Sequence, residues 1–69
     1  MTQNEIILKH LETYGKITPY QALREYGCLR LGARIWDLRD DGYVIDTKVK
    51  KHKNKFGKQV YYAEYILKE

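Results

Sequence analysis

The stretch TPYQALREYGCLRLGARIWDLRDDG, residues 18–42, holds two helices and the turn between them. Thr18, Pro19 and Gln21 form a helix start. The Thr18 hydroxyl can accept the amide three residues on, and the Gln21 side chain can reach back to cap the chain in return. Pro19 suits the first helical position, where its missing N–H costs nothing. Ala22, Leu23 and Tyr26 supply the apolar residues, and Gly27 ends the helix. A second helix follows over about Arg30 to Asp41. Its Leu31, Ile35 and Leu38 fall at i, i+4 and i+7, which makes one buried stripe. Gly42 ends it. Gly32, inside this helix, costs about 1 kcal/mol relative to Ala, so a close approach to its backbone is expected, by a phosphate or a neighbouring helix. Two helices joined by a short glycine-containing turn make a helix-turn-helix.

Upstream, Thr2 to Tyr14 reads as a helix. Thr2 and Glu5 fit a capping box, Ile7, Leu11 and Tyr14 recur at helical spacing with Ile6 and His10 beside them, and Gly15 is the stop. Lys16-Ile17 is a short extended link. Downstream of Gly42 the period changes to two. Tyr43, Ile45, Thr47 and Val49 alternate with Val44, Asp46, Lys48 and Lys50, and Gln59 to Leu67 places Tyr61, Ala63, Tyr65 and Leu67 on one face. The run KVKKHKNKFGK, residues 48–58, joins these strands as a hairpin tip, with Asn54 and Gly57 supplying the turn. The fold class is α+β, a winged helix-turn-helix of three helices and a small antiparallel β-hairpin wing. It forms one domain over residues 1–69.

Composition narrows the function. Sixty-nine residues give a thin core with no room for a deep substrate cavity. One cysteine, Cys28, makes no internal disulfide and no metal cluster. It reads as a small buried apolar residue in a reducing cytoplasm. MTQNEIILKH lacks the pattern of a signal peptide, and no apolar run approaches a membrane span. His10 and His52 stand in unlike contexts. No carboxylate pair, nucleophile–base set, metal-ligand spacing or phosphate-binding loop occurs, so neither enzyme activity nor a cofactor or metal is expected. Residues 1–42 balance their charges, and the whole net charge of +4 sits in the last third. Such concentration points to a polyanion.

The segments ITPYQAL (Ile17–Leu23), YGCLRLGARIWDLRDDGY (Tyr26–Tyr43) and VYYAEYIL (Val60–Leu67) carry a resemblance. The chain resembles the small winged helix-turn-helix DNA-binding proteins of bacteriophages and prophages of Gram-positive bacteria. Gly27, Leu31, Ala33, Arg34, Ile35, Leu38, Arg39, Gly42 and Tyr43 match that family's pattern, while Leu29 and Trp36 depart from it. The resemblance implies double-stranded DNA as partner and a role as a small transcriptional regulator or recombination accessory protein.

On that fold the third helix enters the major groove. Arg30 and Arg34 would read guanine edges, and Ala33 would pack on a thymine methyl. The amides near Thr18, Tyr20 and Gln21 would hold a phosphate. Lys48, Lys50, Lys51, Lys53, Lys55 and Lys58 would neutralise further phosphates, against the plainer reading of lysines as guards of a sheet edge. Arg39, beside Asp40 and Asp41, braces the wing or makes surface pairs. Trp36 either packs against the wing or stands out as an anchor, and Phe56 either enters a minor groove or packs back on the hairpin. A second class stays open: a protein-interaction module binding a host protein through Trp36, Asp37 and Phe56. With no helix spare for a dimer interface, a monomer or a dimer formed on DNA is expected.

Overall fold

The computed structural model describes residues 1–68. Glu69, the last residue of the expected domain, lies outside the described residues. The elements run α1 (Gln3–Tyr14), β1 (Lys16–Ile17), α2 (Pro19–Tyr26), α3 (Leu31–Asp40), β2 (Val44–Lys53) and β3 (Gln59–Lys68). Both capping boxes form. Glu5 N–H donates to Thr2 Oγ1 at 3.2 Å and Thr2 N–H to Glu5 Oε1 at 3.1 Å; Thr18 and Gln21 repeat the exchange at 3.2 and 3.1 Å. The amide of Thr2 holds the Glu5 carboxyl below the usual carboxylate range. α2 closes at Gly27, whose φ of 65° is the left-handed region that other residues reach at a cost. There the amides of Gly27 and Cys28 return to Leu23 and Ala22, and the chain turns into α3.

The core is one cluster drawn from every element except β3, whose partly buried Tyr65 and Leu67 pack against it. Ile7 and Leu11 come from α1, Ile17 from β1 and Ala22 from α2. Cys28 comes from the turn, Leu31, Ile35 and Leu38 from α3, and Ile45 from β2. The α3 stripe and buried Cys28 are as expected. Tyr14 is not: it is exposed, and His10 takes the buried place on α1. His10 Nδ1 and Tyr26 Oη share a hydrogen bond of 2.6 Å, which ties α1 to α2, and burial pushes the Tyr26 phenol above its ordinary pKa. A buried imidazole needs such a partner.

The sheet has three strands in the order β1-β3-β2, all antiparallel. The expected link Lys16-Ile17 is thus a strand, paired with Ile66 and Tyr65. Two residues are too few to show a period, but Ile17 is fully buried, and the Leu67 amide donates to the Gly15 carbonyl at 2.9 Å. The hairpin register runs from Val44↔Lys68 to Lys53↔Gln59. The lysine run, expected as a hairpin tip, is therefore mostly strand. Lys48, Lys50, Lys51 and Lys53 lie within β2, and only Lys55 and Lys58 belong to the turn. The turn begins at Asn54, whose side-chain oxygen accepts the amides of Phe56 and Lys58, each at 3.0 Å.

Only Ile45 of β2 is buried. Ten residues of strand span roughly 33 Å, so the outer half of the hairpin stands off the core. The longest dimension of the molecule, 39 Å against 23 and 20 Å, reflects this. Arg39 fastens the inner half. Its Nε and one terminal nitrogen both donate to the Ile45 carbonyl, at 3.0 and 2.6 Å, and that nitrogen also donates to Thr47 Oγ1 at 2.9 Å. The guanidinium lies 6.0 Å from the Tyr65 ring centre. Of the two roles considered for Arg39, bracing the wing is the one the fold shows.

Gly32 meets no close neighbour. A Cβ built there would lie 3.8 Å from Tyr65 Oη, an ordinary contact, so the expected close approach within the chain is absent. Gly32→Ala should then stabilise the fold by about 0.5–1 kcal/mol through helix propensity. Arg39→Ala should destabilise it by about 1–3 kcal/mol through loss of charged hydrogen bonds. Urea unfolding followed by circular dichroism checks both. A destabilised Gly32→Ala would mean that the α3–Tyr65 contact is tighter than 3.8 Å.

Candidate nucleic-acid interface

The wing presents its lysines from β2 and from the turn that follows it. Residues of a strand alternate faces, so Lys48, Lys50 and His52 share one face of β2, while Lys51 and Lys53 share the face that carries Ile45. Opposite them in register stand Glu64, Tyr62 and Val60, then Tyr61 and Gln59. No lysine faces a lysine across the ladder, and the tyrosine rings can cover lysine stems. Lys50 pairs with Glu64 at 3.8 Å. Among the described residues, Lys48, Lys51, Lys53, Lys55 and Lys58 form no ion pair, and all five are exposed.

Edge protection fits this distribution poorly. The order β1-β3-β2 leaves β2 with a free edge, but β1 covers only Tyr65 and Ile66 of β3. The outer half of β3 is an edge as well, yet Gln59 to Leu67 contains no lysine. A defence against edge pairing would be needed on both.

The start of α2 faces the wing across an open groove. Lys16, Thr18, Tyr20, Gln21 and Arg24 line one side, and His52, Tyr62 and Glu64 the other. Arg24 lies 5.3 Å from the Tyr20 ring centre and pairs with Glu25 at 3.3 Å. Of the amides expected to hold a phosphate, those of Thr18 and Gln21 are already bonded inside the capping box. Pro19 has no N–H, so the Tyr20 amide and the side chains remain.

α3 differs from a row of free arginines. Arg30 is its N-cap residue, exposed and without a side-chain cap bond. Ala33 is half-buried. Arg34 pairs with Asp37 at 3.3 Å, with about a third of each side chain exposed. Asp37 also accepts from the Asn4 amide at 3.2 Å, and Arg34 Nε is buried without a partner. The Arg34 guanidinium is therefore drawn towards α1. The opposing sign at i, i+3 was the signal in the sequence that could have shown it. Trp36 is 66% exposed and Leu29 81%, so Trp36 does not pack into the core. Phe56 is 90% exposed at the tip and does not fold back on the hairpin.

No helix among the described residues is long and apolar enough to cross a membrane, and no group of three or more metal-ligating side chains occurs among them. The model of a family described as "Winged helix-turn-helix domain" matches residues 2–69. No curated protein and no solved structure matches the chain. Three helices, a three-stranded antiparallel sheet and a family match over almost the full length agree, and such domains typically bind DNA and are not enzymes. The chain belongs to the winged helix-turn-helix domain family.

Proposed function

We propose that residues 1–69 act as one domain that binds double-stranded DNA in the cytoplasm, as a small phage-type transcriptional regulator or recombination accessory protein. One observation carries the reading: a strand and turn of lysines project off the core, and five of them have no anionic partner among the described residues. Like charges held so close raise the free energy of the isolated protein, and a polyanion relieves it. The wing lysines take phosphates, with Lys50 contributing least because Glu64 already neutralises it. The groove at the start of α2 gives Tyr20, Thr18 and Gln21 a place beside the same backbone. Arg30 and Ala33 meet base edges from the N-terminal end of α3. Arg34 joins them only by leaving Asp37. Asp40 and Asp41 keep the other end of α3 away from phosphate. Wing contacts position the domain and α3 contacts specify the site.

A second reading has its own observation. Trp36 stands exposed beside Asp37 and Asp40, and exposed tryptophans anchor protein interfaces. In that reading the domain is a module that binds a host protein, with Phe56 as a further contact, and Trp36→Ala abolishes the complex while leaving duplex binding intact.

Labelled random duplex titrated by fluorescence anisotropy at two salt concentrations separates the readings. Replacing Lys50, Lys51, Lys53 and Lys55 by Ala should weaken binding at low salt and reduce the slope of log K against log salt by roughly 3. No binding to any duplex at low salt would sink the DNA reading. At a specific site, Arg30→Ala should cost about 1–3 kcal/mol and relax base preference. Arg34→Ala should cost less, since that side chain must first break its pair with Asp37, and Asp37→Asn should tighten binding by releasing it.

A further inference from the structure

α3 carries its end charges against its own dipole. A helix start is partly positive and favours anions, and a helix end is partly negative and favours cations. Here Arg30 stands at the start without a cap bond, no acidic residue lies in the first turn, and Asp40 and Asp41 stand at the end. Arg39, the basic residue of the last turn, is turned into the hairpin. Between these ends the solvent face, opposite the Leu31–Ile35–Leu38 stripe, is graded in size. Gly32 and Ala33 are small, and the exposed Trp36 is large.

We propose that this face pairs with the same face of a second copy, α3 against α3, antiparallel about a two-fold axis that crosses the solvent face midway along the helix. A two-fold contact must be self-complementary, and this one is. Arg30 meets Asp40 of the partner subunit, and Trp36 lies over Gly32 and Ala33 of the partner subunit. Each misplaced charge also meets the favourable end of the opposite dipole. Gly32, which no contact within the chain requires, leaves room for the ring. Ten helical residues span about 15 Å, too short for the area of a permanent dimer. The pair is therefore concentration-dependent. It needs no DNA and stands independently of the DNA reading, although duplex and partner would compete for α3.

Sedimentation equilibrium from about 10 μM to about 1 mM, a range that spans weak association, tests it together with the emission of Trp36, the single tryptophan. The mass should rise from monomer towards dimer, and the emission should shift to the blue as Trp36 leaves water. Arg30→Asp and Asp40→Arg should each weaken association at least about tenfold, by setting like charges together. Both changes suit an isolated helix, because they place an anion at its start and a cation at its end. Loss of folding is therefore not the expected cause. The double variant should restore the dimer. A monomer with unchanged emission at every concentration overturns the proposal and leaves the face to another protein. Association that survives both single variants, or a double variant that stays monomeric, overturns it as well.

Discussion

The Ile45 carbonyl, gripped by two nitrogens of Arg39, is the contact on which the geometry of this domain depends. α3 is held to the helices by its apolar stripe, and the hairpin is held to the core by little more than Ile45 and the inner part of β3. Apolar contact is non-directional, so direction comes from hydrogen bonds: the short β1–β3 pairing on one side of the hairpin and Arg39 on the other. A planar guanidinium with two donors on one oxygen, a third bond to Thr47 and the Tyr65 ring below it fixes direction as well as distance. The position of the wing relative to α3 follows from that fixed point. The lysines beyond Thr47 can then sit on a strand that buries nothing, because its base is anchored.

Electrostatics divides the molecule into two surfaces. The wing is cationic, projecting and mostly unpaired. α3 is nearly self-neutralised: Arg34 is engaged by Asp37, Arg39 by the hairpin, and Asp40 and Asp41 close the helix. Of its arginines, Arg30 alone among the described residues is left without a bond. On the proposed function, this division would give affinity to the wing and selectivity to a small set of groups at the start of α3.

The helix-turn-helix was legible because each signal in it is local. Capping boxes, Pro19, Gly27 and a spacing of four and three residues act within a single turn of chain, and the structure repeats them almost residue for residue. The hairpin was legible from its period, but the end of β2 was not: lysine is a poor strand marker, and the register that carries β2 out to Lys53 is set by pairing with β3. β1 escaped for a related reason, since its two residues join the sheet only through partners about fifty positions away. In the site, the run of lysines was plain in the sequence, but its place within β2 was not. The state of each arginine was not, because Arg34 and Arg39 are distinguished by which side of α3 meets α1 and which meets the wing. Tyr14 and His10 exchanged places in the same way, through a partner, Tyr26, on another helix.

The measurement that bears most directly on this account is a set of amide correlation spectra recorded by NMR as a duplex is added. A wing clamp anchored through Arg39 should move the signals of Lys48 to Lys58 most, with those of Tyr20 and Gln21 and of Arg30 and Ala33 following. The exposed side of α1 should stay still. Changes confined to Trp36, Asp37 and Asp40, with the wing silent, would contradict it.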